Sequence, residues 1–158
     1  MKFLRYGLLT LLLFSAGFLT SAEISDFNVT DASNTTRWPE NMAPSSVNNA
    51  ARADEGILAR WYADTNGSIS SYGSGNAIRI TSNRTISSLV DGLVFSLKVT
   101  AANSGATTFQ IGTLTAKSLL KNRNEALASD DLEQDQIITV VYSLRDDAFQ
   151  LVAGGRDT

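Results

Sequence analysis

The sequence predicts a mainly β fold: a small antiparallel sheet, closed as a barrel or folded as a sandwich, preceded by an extended arm and one α-helix. Three observations predict it. Between Ser45 and Asp64 the apolar residues recur at helical spacing. Beyond residue 76 the period changes to two, with β-branched and aromatic residues alternating against polar ones. The segments joining these alternating runs are mostly short and polar, as hairpin connections are.

Composition narrows the function before any motif is read. The chain has 158 residues, 43% of them hydrophobic and 18% charged, enough for one core. It has no Cys and no His, which removes disulfides, thiol nucleophiles, thiolate metal sites and the commonest general base. The net charge of −3 includes no basic block that could track a phosphate backbone, so nucleic acid is not an expected partner. Catalysis would rest on carboxylates, and nothing in the sequence locates a pair flanking a cleft. The expectation is a protein that is not an enzyme and carries no cofactor and no metal.

Residues 1–22 read as a secretory leader or membrane anchor. Lys2 and Arg5 supply the positive start, Gly7 to Leu19 is nearly all apolar, and Thr20-Ser21-Ala22 offers the small residues a leader peptidase needs. Cleavage after Ala22 is the expectation. If the segment is retained, its uncharged run is at the short limit for a bilayer and would tie the chain to a membrane.

Residues 23–44 form the arm, polar and extended, with Phe27 and Val29 spaced to offer a short strand to a partner. It ends in a rigid elbow, because both prolines of the chain, Pro39 and Pro44, push the residue before them away from helical geometry. Trp38 and Met42 complete this elbow.

The helix is expected at 45–66, capped by Ser45 or Ser46 and stopped by Thr65-Asn66-Gly67. Its stripe consists of Val47, Ala50, Ala51, Ile57, Leu58 and Trp61, with Asp54 inside it. Small residues at one end and large ones at the other suit a helix lying on a sheet, and equally a seam between identical helices.

Residues 67–75, Gly-Ser-Ile-Ser-Ser-Tyr-Gly-Ser-Gly, read as a flexible connector to the β domain at 76–158. In that domain Ala77, Ile78 and Ile80 begin a strand. Leu93, Phe95, Leu97 and Val99 share one face of a second. Weaker strand signals surround Phe109, Ile111 and Leu114. Ile137 to Leu144 and Phe149 to Val152 are strands joined as a hairpin through Arg145-Asp146-Asp147-Ala148. Lys117 to Gln136 reads as irregular structure with a short helix near its leucines.

The segment from Trp38 to Ala53, Trp-Pro-Glu-Asn-Met-Ala-Pro-Ser-Ser-Val-Asn-Asn-Ala-Ala-Arg-Ala, resembles one that recurs in phage tail-fibre and related virion attachment proteins. The final Gln-Leu-Val-Ala-Gly-Gly, 150–155, is similar to the end of such a module. The resemblance covers roughly Asp31 to Gly155. It implies a structural, non-catalytic attachment or adaptor module, a homotrimer whose partners are other tail proteins, located in the virion. On that reading Val47, Ala50, Ala51, Ile57, Leu58 and Trp61 form the oligomer interface, and Trp38, Pro39, Met42 and Pro44 the attachment elbow.

Taken at face value, the leader supports a different reading: a carbohydrate- or surface-binding module exported to the periplasm or extracellular space. Trp61, Tyr62 and Tyr72 would then sit near a groove for a host-surface glycan. The remaining motifs have plainer readings. The four sequons at Asn28, Asn34, Asn66 and Asn83 follow from abundant Asn, Ser and Thr. Asp130-Asp131 and Asp146-Asp147 fit no calcium loop and read as solvated charges. Gly73-Ser74-Gly75 lacks the Lys-Ser/Thr of a phosphate loop.

Overall fold

The computed structural model describes residues 23–34, 38–39 and 41–155. The leader expected at 1–22 lies outside them, as do Arg37 and Glu40 of the elbow motif. The fold is mainly β: nine strands in a nearly closed, barrel-like sheet, with one long helix before it.

The helix, α1, is Pro44–Thr65, about 33 Å long. It begins one residue earlier than the serines suggested. Pro44 occupies the first turn, where its missing N–H costs nothing, and Ala43 before it is held extended. Neither serine caps the helix, since Ala43 is the N-cap residue and Ser46 N–H donates to Ala43 O at 2.8 Å. At the other end Asn66 is the C-cap and Gly67 follows at φ 82°.

The strands are β1 (Ile69–Ser70), β2 (Tyr72–Ser74), β3 (Ala77–Ile80), β4 (Val94–Lys98), β5 (Thr107–Ile111), β6 (Lys117–Lys121), β7 (Glu125–Ala126), β8 (Ile137–Ser143) and β9 (Ala148–Ala153). Their order across the sheet is β1-β4-β8-β9-β6-β5-β3-β2, with β7 paired to β6. The pairs β4–β8, β8–β9, β5–β6, β6–β7 and β2–β3 are antiparallel; β1–β4, β3–β5 and β6–β9 are parallel. The expected purely antiparallel sheet is therefore a mixed one.

The two ends of this order are consecutive in the chain. Only Ser71 separates β1 from β2, so one extended stretch pairs with β4 through its first half and with β3 through its second. That junction brings the two ends of the sheet order together and nearly closes the barrel. Ser71 N–H donates to Lys98 O at 2.9 Å, Thr100 N–H donates to Ser71 Oγ at 3.1 Å, and Thr100 Oγ1 donates to Ser71 O at 3.1 Å. The stretch read as a flexible Gly/Ser connector is thus the closing strand. Two glycines permit it. A Cβ on Gly75 would lie 1.8 Å from Ala102 O, and Gly73 takes φ 96° against Ala77 O.

Alternation fills the interior as the sequence suggested. Phe95, Leu97 and Val99 from β4 and its end meet Ile138, Val140 and Tyr142 from β8, and Phe109 from β5 meets Phe149 from β9 edge-to-face at 4.7 Å. The β8–β9 hairpin forms as expected, with Ser143 opposite Ala148.

Residues 117–136 differ from the expectation. They hold β6 and β7 and no helix. Leu119 points inward from β6, while Leu127 and Leu132 enter the core from the loops beyond. The strand was masked in the sequence because an inward position carries Lys121. Its ammonium is 2.9 Å from the fully buried Asp131, which also accepts from Ala128 N–H at 2.6 Å. Asp131 is therefore not a solvated loop charge. Asp147, read the same way, accepts from Lys117 and from the Tyr142 hydroxyl, each at 2.6 Å. The buried Asn103 ties the same loops together through Gly105 O, Ala128 O and Leu132 N–H.

Candidate functional site: the outer face of the helix and its elbow

Helix α1 contacts the barrel at β4, and its buried residues are Ile57 and Asp64, seven residues apart. Ile57 is 1% exposed and Asp64 is fully buried. Ile57 is thus turned into the protein and is not available to a partner copy, contrary to its place in the expected interface. Ala50 is half-buried.

Asp64 is the strongest attachment. Its carboxylate accepts from Ser82 Oγ at 2.7 Å, Asn83 N–H at 2.8 Å, Asn83 Nδ2 at 2.9 Å and Arg84 Nε at 2.7 Å. Burial pushes its pKa up, but the hydrogen bonds from Arg84, Ser82 and Asn83 outweigh burial and hold it below the usual carboxylate range. Arg84 in turn donates to Val94 O at 3.0 Å and lies over the Phe95 ring at 4.9 Å. Sequence reasoning missed this pair. The only signal was an Asp on the apolar side of the helix with no local partner.

A second attachment comes from the arm. Glu23, 6% exposed, accepts from Thr85 N–H at 3.1 Å and pairs with Arg60 of the helix at 3.3 Å. The arm is not the extended segment expected. It carries one-turn 3-10 helices at Ile24–Asp26 and Asp31–Ser33, and Asn34 closes a loop onto Asn28. Val29 is fully exposed and lies in no strand.

A second stripe of the helix is partly or largely exposed. Val47, Ala51, Asp54, Leu58, Trp61 and Thr65 are spaced four, three, four, three and four residues apart, the alternation of a heptad seam. Val47, Leu58 and Trp61 are 42%, 52% and 38% exposed, and Ala51 is half-buried. The elbow folds back onto this stripe. Trp38 Nε1 donates to Asp54 Oδ2 at 2.7 Å, Met42 N–H closes a turn on Pro39 O at 3.2 Å, and Asn41 takes φ 61° within it. Met42 is half-buried and Pro39 and Pro44 are exposed. Trp38, itself 43% exposed, thereby joins the outward apolar surface at the one seam position that is acidic.

Of the aromatic residues considered for a glycan, Trp61 and Tyr62 lie exposed side by side on α1, and Tyr72 lies on β2 under the Arg79 guanidinium at 5.5 Å. Two clefts stand out among the described residues. One of about 240 Å³ lies at Lys121, Asn122 and residues 151–155; one of about 110 Å³ lies between Glu23, Arg84 and Leu93. Both are smaller than a typical small-molecule site. Among the described residues no three acidic side chains cluster as a metal site, and no helix is long and apolar enough to cross a membrane. Asn34 and Asn83, two of the sequon residues, spend their amide N–H groups on Asn28 O and Asp64. The chain matches no protein-family model and no curated protein.

Proposed function

We propose that this chain is a non-catalytic structural component of a phage tail, a tail-fibre attachment or adaptor module that assembles as a homotrimer through the outer face of α1. One observation carries the reading: the helix buries Ile57 and Asp64 within its own chain and leaves Val47, Leu58 and Trp61 exposed at positions of a heptad seam. Identical helices packed around a common axis would bury Val47, Leu58 and Trp61 together. The elbow of Trp38, Pro39, Met42 and Pro44 stiffens the start of that helix and presents it to the neighbouring tail proteins. The resemblance of residues 38–53 to tail-fibre segments supports the same assignment, and the virion tail is the location it implies.

Light scattering on the chain from Glu23 onward tests it. The expected mass is about three times that of one chain. Ala51→Arg places three guanidinium groups at the axis and should leave a folded monomer. A wild-type monomer in the presence of its neighbouring tail proteins, or a trimer unaffected by Ala51→Arg, overturns the helix seam.

The exposed pair Trp61 and Tyr62 favours one other reading, an exported module that binds a surface glycan. Binding on a glycan array, lost in Trp61→Ala while the trimer mass persists, would select it over the assembly role.

A further inference from the structure

A buried ion pair of the barrel takes no part in the helix face. Lys121 is buried at an inward position of β6, and Asp131 is fully buried in the loop between the core residues Leu127 and Leu132. Lys121 Nζ lies 3.1 Å from Asp131 Oδ1 and 2.9 Å from Oδ2, so it faces the carboxyl carbon that joins them. Ala128 N–H donates to Oδ2 at 2.6 Å. A second carboxylate reaches the same nitrogen. The left-handed turn at Asn122 and Arg123 sets Glu125 opposite Lys121 in the β6–β7 pair. Glu125 Oε1 lies 3.7 Å from Nζ, and Asn122 Nδ2 donates to Glu125 Oε2 at 3.1 Å. An amine held against a carboxyl, an N–H on the carboxyl oxygen and a neighbouring proton acceptor are the parts that amide formation needs.

We propose that the Lys121 amine and the Asp131 carboxyl condense into an intramolecular isopeptide bond, with Glu125 carrying a proton between them. Proton transfer from Nζ to Oδ1 gives the neutral pair, which spares the interior two charges. The Nζ lone pair then attacks Cγ, and negative charge develops on Oδ2, where Ala128 N–H already donates. Glu125 takes a second proton from Nζ and delivers it to Oδ1, which leaves as water. One N–C bond forms, one C–O bond breaks, and no oxidant is required. The hydrogen bond to Asp131 raises the Lys121 pKa, so the charged pair predominates at first and the bond forms slowly after folding. Lys121 lines the cleft at residues 151–155, which gives the departing water an exit. The product closes residues 121–131 into a ring that holds Leu127 in the core. The inference does not depend on trimer formation.

Intact mass spectrometry of the purified, folded protein over a week at neutral pH tests it. The wild-type mass should fall one water short of the mass its sequence requires. Trypsin should then release Ser118–Arg123 and Asn124–Arg145 as one joined species, with no cut after Lys121. Lys121→Arg keeps the cation but not the nucleophile, and should hold its full mass. Glu125 is largely exposed, so Glu125→Gln should fold as wild type and lose water about a hundredfold more slowly. A folded wild-type protein that still has its full mass after the week overturns the bond and leaves an ion pair only. Loss of water that maps elsewhere in the chain overturns it as well. Equal rates in wild type and Glu125→Gln overturn the role of Glu125. Light scattering on the same samples reads the assembly proposal separately.

Discussion

Two residues concentrate the energetics of this fold. Asp64 and Arg84 form a buried ion pair whose remaining valences are taken by Ser82, Asn83 and Val94 O. Removing one partner strands the other charge, so Asp64→Ala should cost about 3–5 kcal/mol in urea unfolding. The same carboxyl gives a pH dependence of defined sign. Its folded pKa lies below its ordinary value of 3.8, so its stabilisation is complete above that value and is lost as pH falls through the lower, folded one. Asp147, lowered by Lys117 and by the Tyr142 hydroxyl, acts in the same direction. The urea midpoint should fall between about pH 5 and pH 2, and fall less steeply in Asp64→Asn. Gly75 is the other sensitive position. A methyl group there would collide with Ala102 O, so Gly75→Ala should destabilise by about 2 kcal/mol or more, read from its melting curve.

The helix is an element with two separable faces, and adjacent residues distinguish them. Ile57→Ala empties a buried position and should cost about 2–4 kcal/mol of unfolding free energy. Leu58→Ala removes an exposed side chain, should leave monomer stability within about 0.5 kcal/mol, and should instead weaken self-association. Equal effects of the two changes on both quantities would mean that the helix does not partition in this way. The elbow belongs to the outer face through the Trp38–Asp54 hydrogen bond, so the turn that starts the helix also covers the acidic seam position.

For the whole molecule, the single residue Ser71 joins the two ends of the sheet order, so β1 and β2 are each short strands with one hydrogen-bonded neighbour. The proposed assembly places association on the helix. If it occurs there, folding and assembly are linked by mass action, and the melting temperature should rise with protein concentration. In Ala51→Arg it should not. Differential scanning calorimetry over a wide concentration range separates the two cases.

Local chemistry was legible before any coordinates. Period-two alternation placed Phe95, Leu97 and Val99 on one inward face, Pro44 and Gly67 punctuated the helix, and the β8–β9 hairpin followed from its short polar loop. These features depend on neighbours a few residues away. What stayed hidden depends on partners far along the chain. Lys121 disguised β6 because its counter-ion arrives ten residues later. The Gly/Ser stretch around Ser71 looked flexible because its strand partners, β4 and β3, are supplied by opposite edges of the sheet. The apolar stripe of α1 could not be divided in advance, since 50, 57 and 64 differ from 47, 51, 54, 58 and 61 only by a small rotation about the helix axis. The fold buried Asp64 where the donors of Ser82, Asn83 and Arg84, far along the chain, converge on its carboxylate.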